Sequence, residues 1–400
     1  MAGRQDGAWR TERLVLAALA CSVAAQSMVR PTATYRALEL GAGVLGVSLV
    51  VAASSALAVV GAVPIGRWID RTGPKRCITV GGACLTVATV GGALSPNLAM
   101  VALSMALVGI SHVAVLLAAQ AMAAHASSPI HRQQRFARNA IAASLGQIVG
   151  PAIAGWVIAM AWPSDRFPTT GAFLAAAVIA AVATALALAM APAAPADPGD
   201  GKARAKLSSR LMLDLAGRPG MPAALSSGVA VLIALDVLMA YLPLIGEAAG
   251  LPPAVVGGLL SFRGVCALAS RLLMTPMIRR VGTRAVLAGT MFASALSLSA
   301  MVWATEVWQL ALLIGIFGFG VGVGAPMTAA WVAQVSPVEL RATALGLRLS
   351  GNRLGQALVP LGLGSVAASW GISIVLVTPA LTLLACTWWV SRADLGESQG

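Results

Sequence analysis

The stretch GRWIDRTGPKR, residues 66–76, decides how the rest of the sequence is interpreted. These eleven residues hold four basic residues and one aspartate, whereas the flanking segments GVSLVVAASSALAVVGAVPI and CITVGGACLTVATVGGAL carry no charge. A short charged connector between two apolar runs is typical of a loop that joins two membrane-spanning helices.

The composition of the whole chain supports a membrane protein. Only 10% of the 400 residues are charged and 58% are hydrophobic, whereas about a quarter of the residues of a soluble domain are charged. Apolar stretches approach the roughly 20 residues that cross a bilayer, and they recur from end to end. Their hydrophobicity does not alternate from residue to residue, as it would in a barrel strand. We therefore predict an all-α membrane protein.

The basic excess of the chain does not indicate a nucleic-acid partner. The net charge is +13, but the basic residues lie in short connectors between apolar runs, where topology alone explains them. The five cysteines show neither paired nor metal-type spacing, and the sequence has no phosphate-binding loop of the Gly-Lys-Ser/Thr type. We expect no disulfide framework, no metal, no cofactor and no use of ATP.

Twelve spans are predicted, in two groups of six. A segment rich in proline, glycine and charge, residues 191–220, separates the groups and is predicted to be a cytoplasmic linker between residues 1–190 and 221–400. The predicted spans are 14–34, 42–65, 77–94, 99–124, 138–162, 170–191, 221–245, 252–277, 285–304, 308–334, 340–367 and 371–391.

The distribution of Lys and Arg predicts the orientation of the chain. With both termini in the cytoplasm, 21 of the 27 basic residues fall on the inner side, Arg348 among them. Only Arg30, Arg36 and Arg166 fall outside, and Arg263, Arg271 and Arg353 fall within spans. This asymmetry is the positive-inside pattern of a multi-pass protein of the inner membrane.

The two groups of spans are also related by an internal repeat. The segment DRTGPKR (70–76) aligns with RRVGTRA (279–285), which pairs Gly73 with Gly282 at an offset of 209 residues. The same offset aligns GQIVGPAIAG (146–155) with GQALVPLGLG (355–364). Parallel repeats of six helices are an architecture of secondary transporters.

These segments resemble the motifs of a known family. The pattern Gly66-x-x-x-Asp70-Arg71-x-Gly73-x-Lys75-Arg76 resembles the signature loop of the major facilitator superfamily. The pattern Gly146-x-x-x-Gly150-Pro151-x-x-x-Gly155 is similar to the antiporter-associated motif of that superfamily. With the span count and the repeat, the resemblance covers the whole chain and implies two pseudo-symmetric six-helix bundles.

The loop motif has a conformational role in the resembled family. There the aspartate at the position of Asp70 holds the two halves together on the cytoplasmic side in the outward-open state, which places its partner here near Pro337–Arg341. Gly66 is expected to allow neighbouring helices to approach, and Gly73 to allow a turn with positive φ. The alternative is that the basic residues only anchor the orientation. Because Arg279 occupies the position of Asp70 in the second repeat, a symmetric switch is not expected.

The second motif lies within the fifth span. Pro151 is expected to bend the helix, and the three glycines to allow tight packing against another span. The resemblance implies antiport, whereas the alternative is a packing seam with no bearing on transport.

Three charged residues fall at similar depth within the second group of spans. Asp236, Arg263 and Arg353 lie about eleven to fifteen residues into their spans, and an embedded charge normally faces a partner or a water-filled cavity. In the resembled fold the spans that carry them line the central cavity. One acid with two bases favours an anionic cargo, with one arginine paired to Asp236 or with Asp236 carrying the coupled proton. The alternative is a structural ion pair, and Arg271 is expected to be structural.

Softer candidates for substrate contact are uncharged polar residues within spans and one arginine at the outer end of span one. His112 could relay protons, or it could be a hydrogen-bonded packing residue. The set is Gln26, Arg30, His112, Gln120, Gln147, Asn352 and Gln356.

The sequence thus predicts a secondary transporter that is monomeric and not an enzyme. We expect it to move a small organic solute by proton-coupled alternating access in the direction of efflux, with an organic anion or drug-like compound as cargo. Proton-driven uptake of a metabolite is the alternative within transport. A lipid-modifying membrane enzyme would need a nucleophile, a metal set or paired carboxylates near an interface, and a transporter-like sensor would usually carry a soluble output domain.

Overall fold

The described residues include twelve long α-helices and a 3-10 turn. The computed structural model describes residues 2–124, 129–160, 168–191, 214–337, 340–370 and 373–392. The first six helices are α1 (Ala2–Glu39), α2 (Val44–Thr72), α3 (Pro74–Ala93), α4 (Leu98–Ala124), α5 (Pro129–Ala159) and α6 (Thr169–Leu188). The second six are α7 (Met221–Ala248), α8 (Pro253–Val281), α9 (Thr283–Ala300), α10 (Val307–Val335), α11 (Arg341–Trp370) and α12 (Ser373–Arg392), with the 3-10 turn at Met301–Trp303.

Each predicted span corresponds to one of these helices, and the described residues contain no β-strand. Eleven of the described helices are long and apolar enough to cross a membrane. The twelfth, α11, is 30 residues long but holds three arginines together with Asn352 and Gln356, which lower its mean hydropathy.

The loop between α8 and α9 has the same backbone conformation at its glycine as the loop between α2 and α3. Gly73 ends α2 with φ 87° and ψ 154° and donates its N–H to the Ile69 carbonyl at 2.9 Å. Gly282 adopts φ 84° and ψ 158° and donates to the Ile278 carbonyl at 2.9 Å. Because residues with a side chain rarely adopt this conformation, the prediction of a positive φ at Gly73 is confirmed, and the internal repeat extends to the backbone.

The close contacts between helices obey the same offset of 209 residues. Gly109 of α4 lies so near the backbone of Ser54 on α2 that an added Cβ would collide with the Ser54 carbonyl oxygen. In the second repeat, a Cβ on Gly318 of α10 would lie 2.5 Å from the carbonyl oxygen of Arg263 on α8. Both pairs therefore place glycine where two helix backbones meet, which is how helices pack without a hydrophobic driving force between them.

The first and fifth helices of each repeat meet at a second equivalent position. A Cβ on Gly146 would lie 2.6 Å from the Ala20 carbonyl of α1, and a Cβ on Gly355 would lie 2.8 Å from Val229 of α7. Val229 stands at the position of Ala20 in the repeat. The larger residue in the second repeat makes that contact through a side chain rather than through the backbone.

The chain divides into two compact units. One consists of residues 1–201 together with 243–261, and the other of 202–242 together with 262–400. The end of α7, the start of α8 and the turn between them therefore belong with α1–α6. Most of the predicted linker, residues 192–213, lies outside the described residues, and the boundaries predicted at 190 and 221 stay predictions.

Polar side chains join the helix ends of the first unit. At one end Glu12 of α1 accepts from Arg138 and lies 3.5 Å from Arg135 of α5. At the other end Glu39 pairs with Arg36 at 2.6 Å and accepts from the Thr169 hydroxyl at 2.7 Å, where α6 begins. These contacts fix α1 against α5 and α6.

We predict that a single methyl group at Gly109 or Gly318 destabilises the protein, because it would collide with a backbone that cannot move away. Overpacking of this kind costs about 1–3 kcal/mol, so Gly109→Ala and Gly318→Ala should lower the melting temperature of detergent-purified protein. The matched controls are Gly258→Ala and Gly289→Ala, where an added Cβ meets no described atom within 4 Å. These should melt at or above the wild-type temperature, since alanine favours helix. Equal melting of all four variants would contradict the packing described.

Candidate functional site

The charged loop between α2 and α3 presents its polar residues at the helix ends. Asp70, Arg71 and Arg76 are exposed. Lys75 is half-buried, and its Nζ donates to the Met190 carbonyl just beyond α6. Lys75 therefore joins the start of α3 to the end of α6, which is a structural contact that the motif alone did not predict.

Two expectations about this loop have different outcomes. A Cβ placed on Gly66 meets no described atom within 4 Å, so the predicted close approach of helices at Gly66 is wrong for the part of the chain that the structure describes. The expected partner of Asp70, near Pro337–Arg341, belongs to the other unit and includes residues 338 and 339, which lie outside the described residues. The switch role of Asp70 stays a prediction.

The glycines of the α5 motif pack against two different helices. A Cβ on Gly150 would lie 2.5 Å from the Ala24 carbonyl of α1, and a Cβ on Gly155 would lie 2.5 Å from the Pro253 carbonyl of α8. Gly257 lies in turn against the Pro151 carbonyl. The expected tight packing is confirmed, and α5 continues as a helix through Pro151. These contacts explain why the start of α8 belongs with the first unit.

The charged residues predicted within the second group of spans are all in helices of the second unit. Asp236 of α7 is 7% exposed and Arg263 of α8 is 1% exposed, which makes Arg263 the largest fully buried side chain among the described residues. Arg353 of α11 is half-buried and donates to Gln356 Oε1 at 3.3 Å. Each of the three side chains is thus buried or half-buried within this unit. The pairing of Asp236 with an arginine stays a prediction.

The packing of α7 on α11 aligns the segments that carry these residues. A Cβ on Gly355 would lie 2.8 Å from Val229 and 3.1 Å from Ile233. Ile233 is one turn before Asp236, and Gly355 lies between Arg353 and Gln356. The α7 segment that ends at Asp236 therefore packs directly on the polar segment of α11.

One face of α11 is a ladder of buried polar residues. Arg348, Asn352 and Gln356 are spaced by four residues, which places them above one another on a helix. Their exposed fractions are 7%, 3% and 7%. The sequence singled out Asn352 and Gln356 as neighbours of Arg353, but the residue with which they share a face is Arg348.

Arg348 is a buried residue that the sequence did not single out. The distribution of basic residues counts it on the cytoplasmic side, which stays a prediction, and its side chain is buried between helices. Its Nη2 donates to the Ala325 carbonyl and to the Thr328 hydroxyl of α10, both at 2.9 Å. Its equivalent in the first repeat is Asn139, whose amide donates to the Ala119 carbonyl of α4 at 3.0 Å. The repeat offset, applied to a buried asparagine, is the signal that could have identified Arg348.

The remaining candidates lie in the first unit or at the edge of the site. Gln120 is exposed, whereas Gln26, Arg30, His112 and Gln147 are half-buried on α1, α4 and α5. Arg271 of α8, expected to be structural, donates from Nε to the Gly322 carbonyl of α10 at 3.3 Å. Arg271 therefore bridges two helices, as a structural residue would.

Comparison with solved structures shows the fold. The nucleoside transporter NupG superimposes with a TM-score of 0.75 at 14% identity, covering 95% of this chain and 98% of that one. A bacterial homologue of the human lysosomal transporter Spinster, in an inward-facing and occupied conformation, also gives 0.75 at 14% identity, with 97% and 98% covered. A D-xylose-proton symporter gives 0.72 at 14% identity, with 97% and 99% covered.

The sequence itself matches a family profile over nearly its whole length. Among curated proteins no relative matches significantly. The profile of the Major Facilitator Superfamily, however, matches residues 15–262 and 224–398. The two matches overlap and together include both repeats, the α2–α3 loop and the glycine motif of α5. The chain therefore belongs to the Major Facilitator Superfamily.

Proposed function

We propose that the protein is a proton-coupled secondary transporter of the inner membrane that exports a small organic anion or an anionic drug-like compound by alternating access. The family and the similar structures point to a transporter rather than an enzyme. The proposals of an anionic cargo and of proton coupling rest on the set of charged side chains buried in the second unit. Charges at membrane depth are costly and normally serve a substrate or ion pathway.

The balance of these charges supports an anionic cargo. Among the described residues of the second unit, Asp236 is the buried acidic side chain, whereas Arg263 and Arg348 are buried basic side chains. Arg353 adds a half-buried cation next to Gln356. A cargo with a negative group would compensate the excess positive charge when it binds. After the cargo departs, the positive charge would be compensated by solvent or by Asp236.

Asp236 is the residue that we propose to carry the coupled proton. A carboxyl group that alternates between a charged form and a protonated form changes how strongly it holds a neighbouring arginine. Proton binding at Asp236 would thus release an arginine, which could then bind the cargo. After proton loss, the Asp236 carboxylate would again compete with the cargo for that arginine. This exchange couples the two fluxes without any covalent step.

The proposed direction rests on the glycine motif of α5, which is similar to an antiporter-associated motif. Its close contacts with α1 and with the start of α8 support a role in how these helices move against one another. Uptake by proton symport is the competing possibility, and proton symport is the mode of coupling named for a similar structure, the D-xylose-proton symporter. The coupling assay below distinguishes the two by the sign of the proton flux.

We predict that Asp236→Asn abolishes proton-driven transport while the protein stays folded, because an amide cannot exchange the proton. The cargo would first be found by thermal-shift screening of organic anions and drugs on the purified protein. Proteoliposomes that contain a pH-sensitive dye would then report proton flux when that cargo is added. For export by antiport, cargo and protons move in opposite directions. Normal flux in Asp236→Asn would show that the proton is carried elsewhere.

We also predict that Arg353→Ala weakens binding of the anion found in that screen by at least about tenfold, which corresponds to a charge-assisted hydrogen bond. Arg271→Ala is the matched control, since it removes an arginine of the same unit that binds a backbone carbonyl. The control should change the melting temperature more than the affinity. Equal losses of affinity in the two variants would contradict the assignment of Arg353.

A further inference from the structure

The charge of Arg348 has no acidic partner among the described residues. Its hydrogen bonds in the described structure go to a carbonyl and a hydroxyl of α10, both from Nη2, and no carboxylate of the described chain lies within 4 Å. Burying an arginine without an anion costs several kcal/mol. Two hydrogen bonds to neutral groups do not compensate that cost. A purely structural role therefore does not explain why position 348 holds an arginine.

The first repeat shows what a structural residue at this position needs. Asn139 stands at the same place between α4 and α5 and joins them with one amide hydrogen bond to Ala119. A neutral residue is therefore sufficient to hold the fourth and fifth helices together. Arg348 adds a positive charge and further N–H donors that the joint between α10 and α11 does not require.

Hydrogen-bonding groups without partners in the described structure lie beside this charge. Nε of Arg348 has no hydrogen-bond partner in the described structure. It faces Gly228 of α7, where an added Cβ would lie 3.0 Å from it. Asn352, one turn further along α11, is 3% exposed, and neither atom of its amide has a partner among the described residues. Buried polar groups are normally satisfied, so these atoms are available to a ligand.

The neighbouring helix contributes one more donor of the same kind. Trp331 lies one turn beyond Thr328 on α10 and is 2% exposed, and its indole Nε1 has no partner in the described part of the chain. An indole N–H and a guanidinium N–H can only donate. Both groups can therefore bind an anion but not a cation, whereas the Asn352 amide can donate as well as accept.

We propose that Gly228, Arg348 and Asn352 form an anion-binding pocket between α7, α10 and α11 that takes a carboxylate or a group of similar size and charge. Arg348 supplies the charge and an N–H donor, Asn352 supplies its amide N–H, and glycine at position 228 keeps a side chain of α7 away from Nε of Arg348. The identification of this anion with the transported cargo rests on the proposed function. The pocket itself does not depend on it.

The test measures the electrostatic preference of the pocket and needs no knowledge of the cargo. The five native cysteines are replaced, and Asn352→Cys is introduced into the full-length protein. The thiol is reacted with two methanethiosulfonate reagents of similar size, the anionic ethylsulfonate and the cationic ethyltrimethylammonium. Both rates are divided by those of the same reagents with 2-mercaptoethanol.

The expected result is a normalised preference for the anionic reagent of about tenfold or more, since a unit charge one helical turn away acts in a medium of low dielectric constant. Arg348→Gln should remove the preference, and Arg348→Lys should keep most of it. Gly228→Ala should slow the anionic reagent without reversing the preference, because the charge remains and the space is reduced.

The matched control is Ala143→Cys, which stands at the position of Asn352 in the first repeat, one turn from the neutral Asn139. It should show no preference. Equal normalised rates at Cys-substituted position 352, or no reaction there in folded protein, would overturn the proposal. If Arg348→Gln does not fold, the comparison of the two cysteine positions still decides. Failure of this test would leave the Asp236 assay untouched, and failure of proton coupling would leave the pocket standing.

Discussion

The architecture depends on direct contact between helix backbones at glycine, and this contact occurs twice. Gly109 on Ser54 and Gly318 on Arg263 are separated by the same 209 residues. Apolar side chains do not hold helices together in lipid, because the lipid is equally apolar, so close packing at small residues must do so. In the second repeat this contact also fixes the backbone of a buried arginine. The fold and the candidate site therefore depend on the same glycine.

The two repeats share a backbone but use it for different chemistry. In the first, the equivalent positions hold Ser54 and Asn139, which are neutral, and in the second they hold Arg263 and Arg348. Asn139 and Arg348 make the same kind of hydrogen bond between the fourth and fifth helices of their repeats. The buried positive charge is thus concentrated in the second unit, on a scaffold that tolerates neutral residues at the same sites.

Most of the fold follows from the sequence because membrane spans and glycine turns leave local signals. Hydropathy located all twelve helices, and the GRWIDRTGPKR loop predicted the turn at Gly73. The candidate site is less accessible, because burial depends on which helices meet. Arg348 lies in the inner third of the predicted span 340–367, where the sequence alone does not show whether an arginine is buried between helices. Gly66 shows a similar limit, since a glycine in a motif does not have to face another helix.

The central claim is that the two repeats are parallel, so that equivalent loops lie on the same side of the membrane. The direct measurement places single cysteines at the exposed positions Arg71 and Arg280, which are equivalent in the repeat. A membrane-impermeant thiol reagent is then applied to right-side-out and inverted vesicles. Parallel repeats with both loops in the cytoplasm require that both positions are labelled only in inverted vesicles. Labelling of the two positions from opposite sides would contradict it.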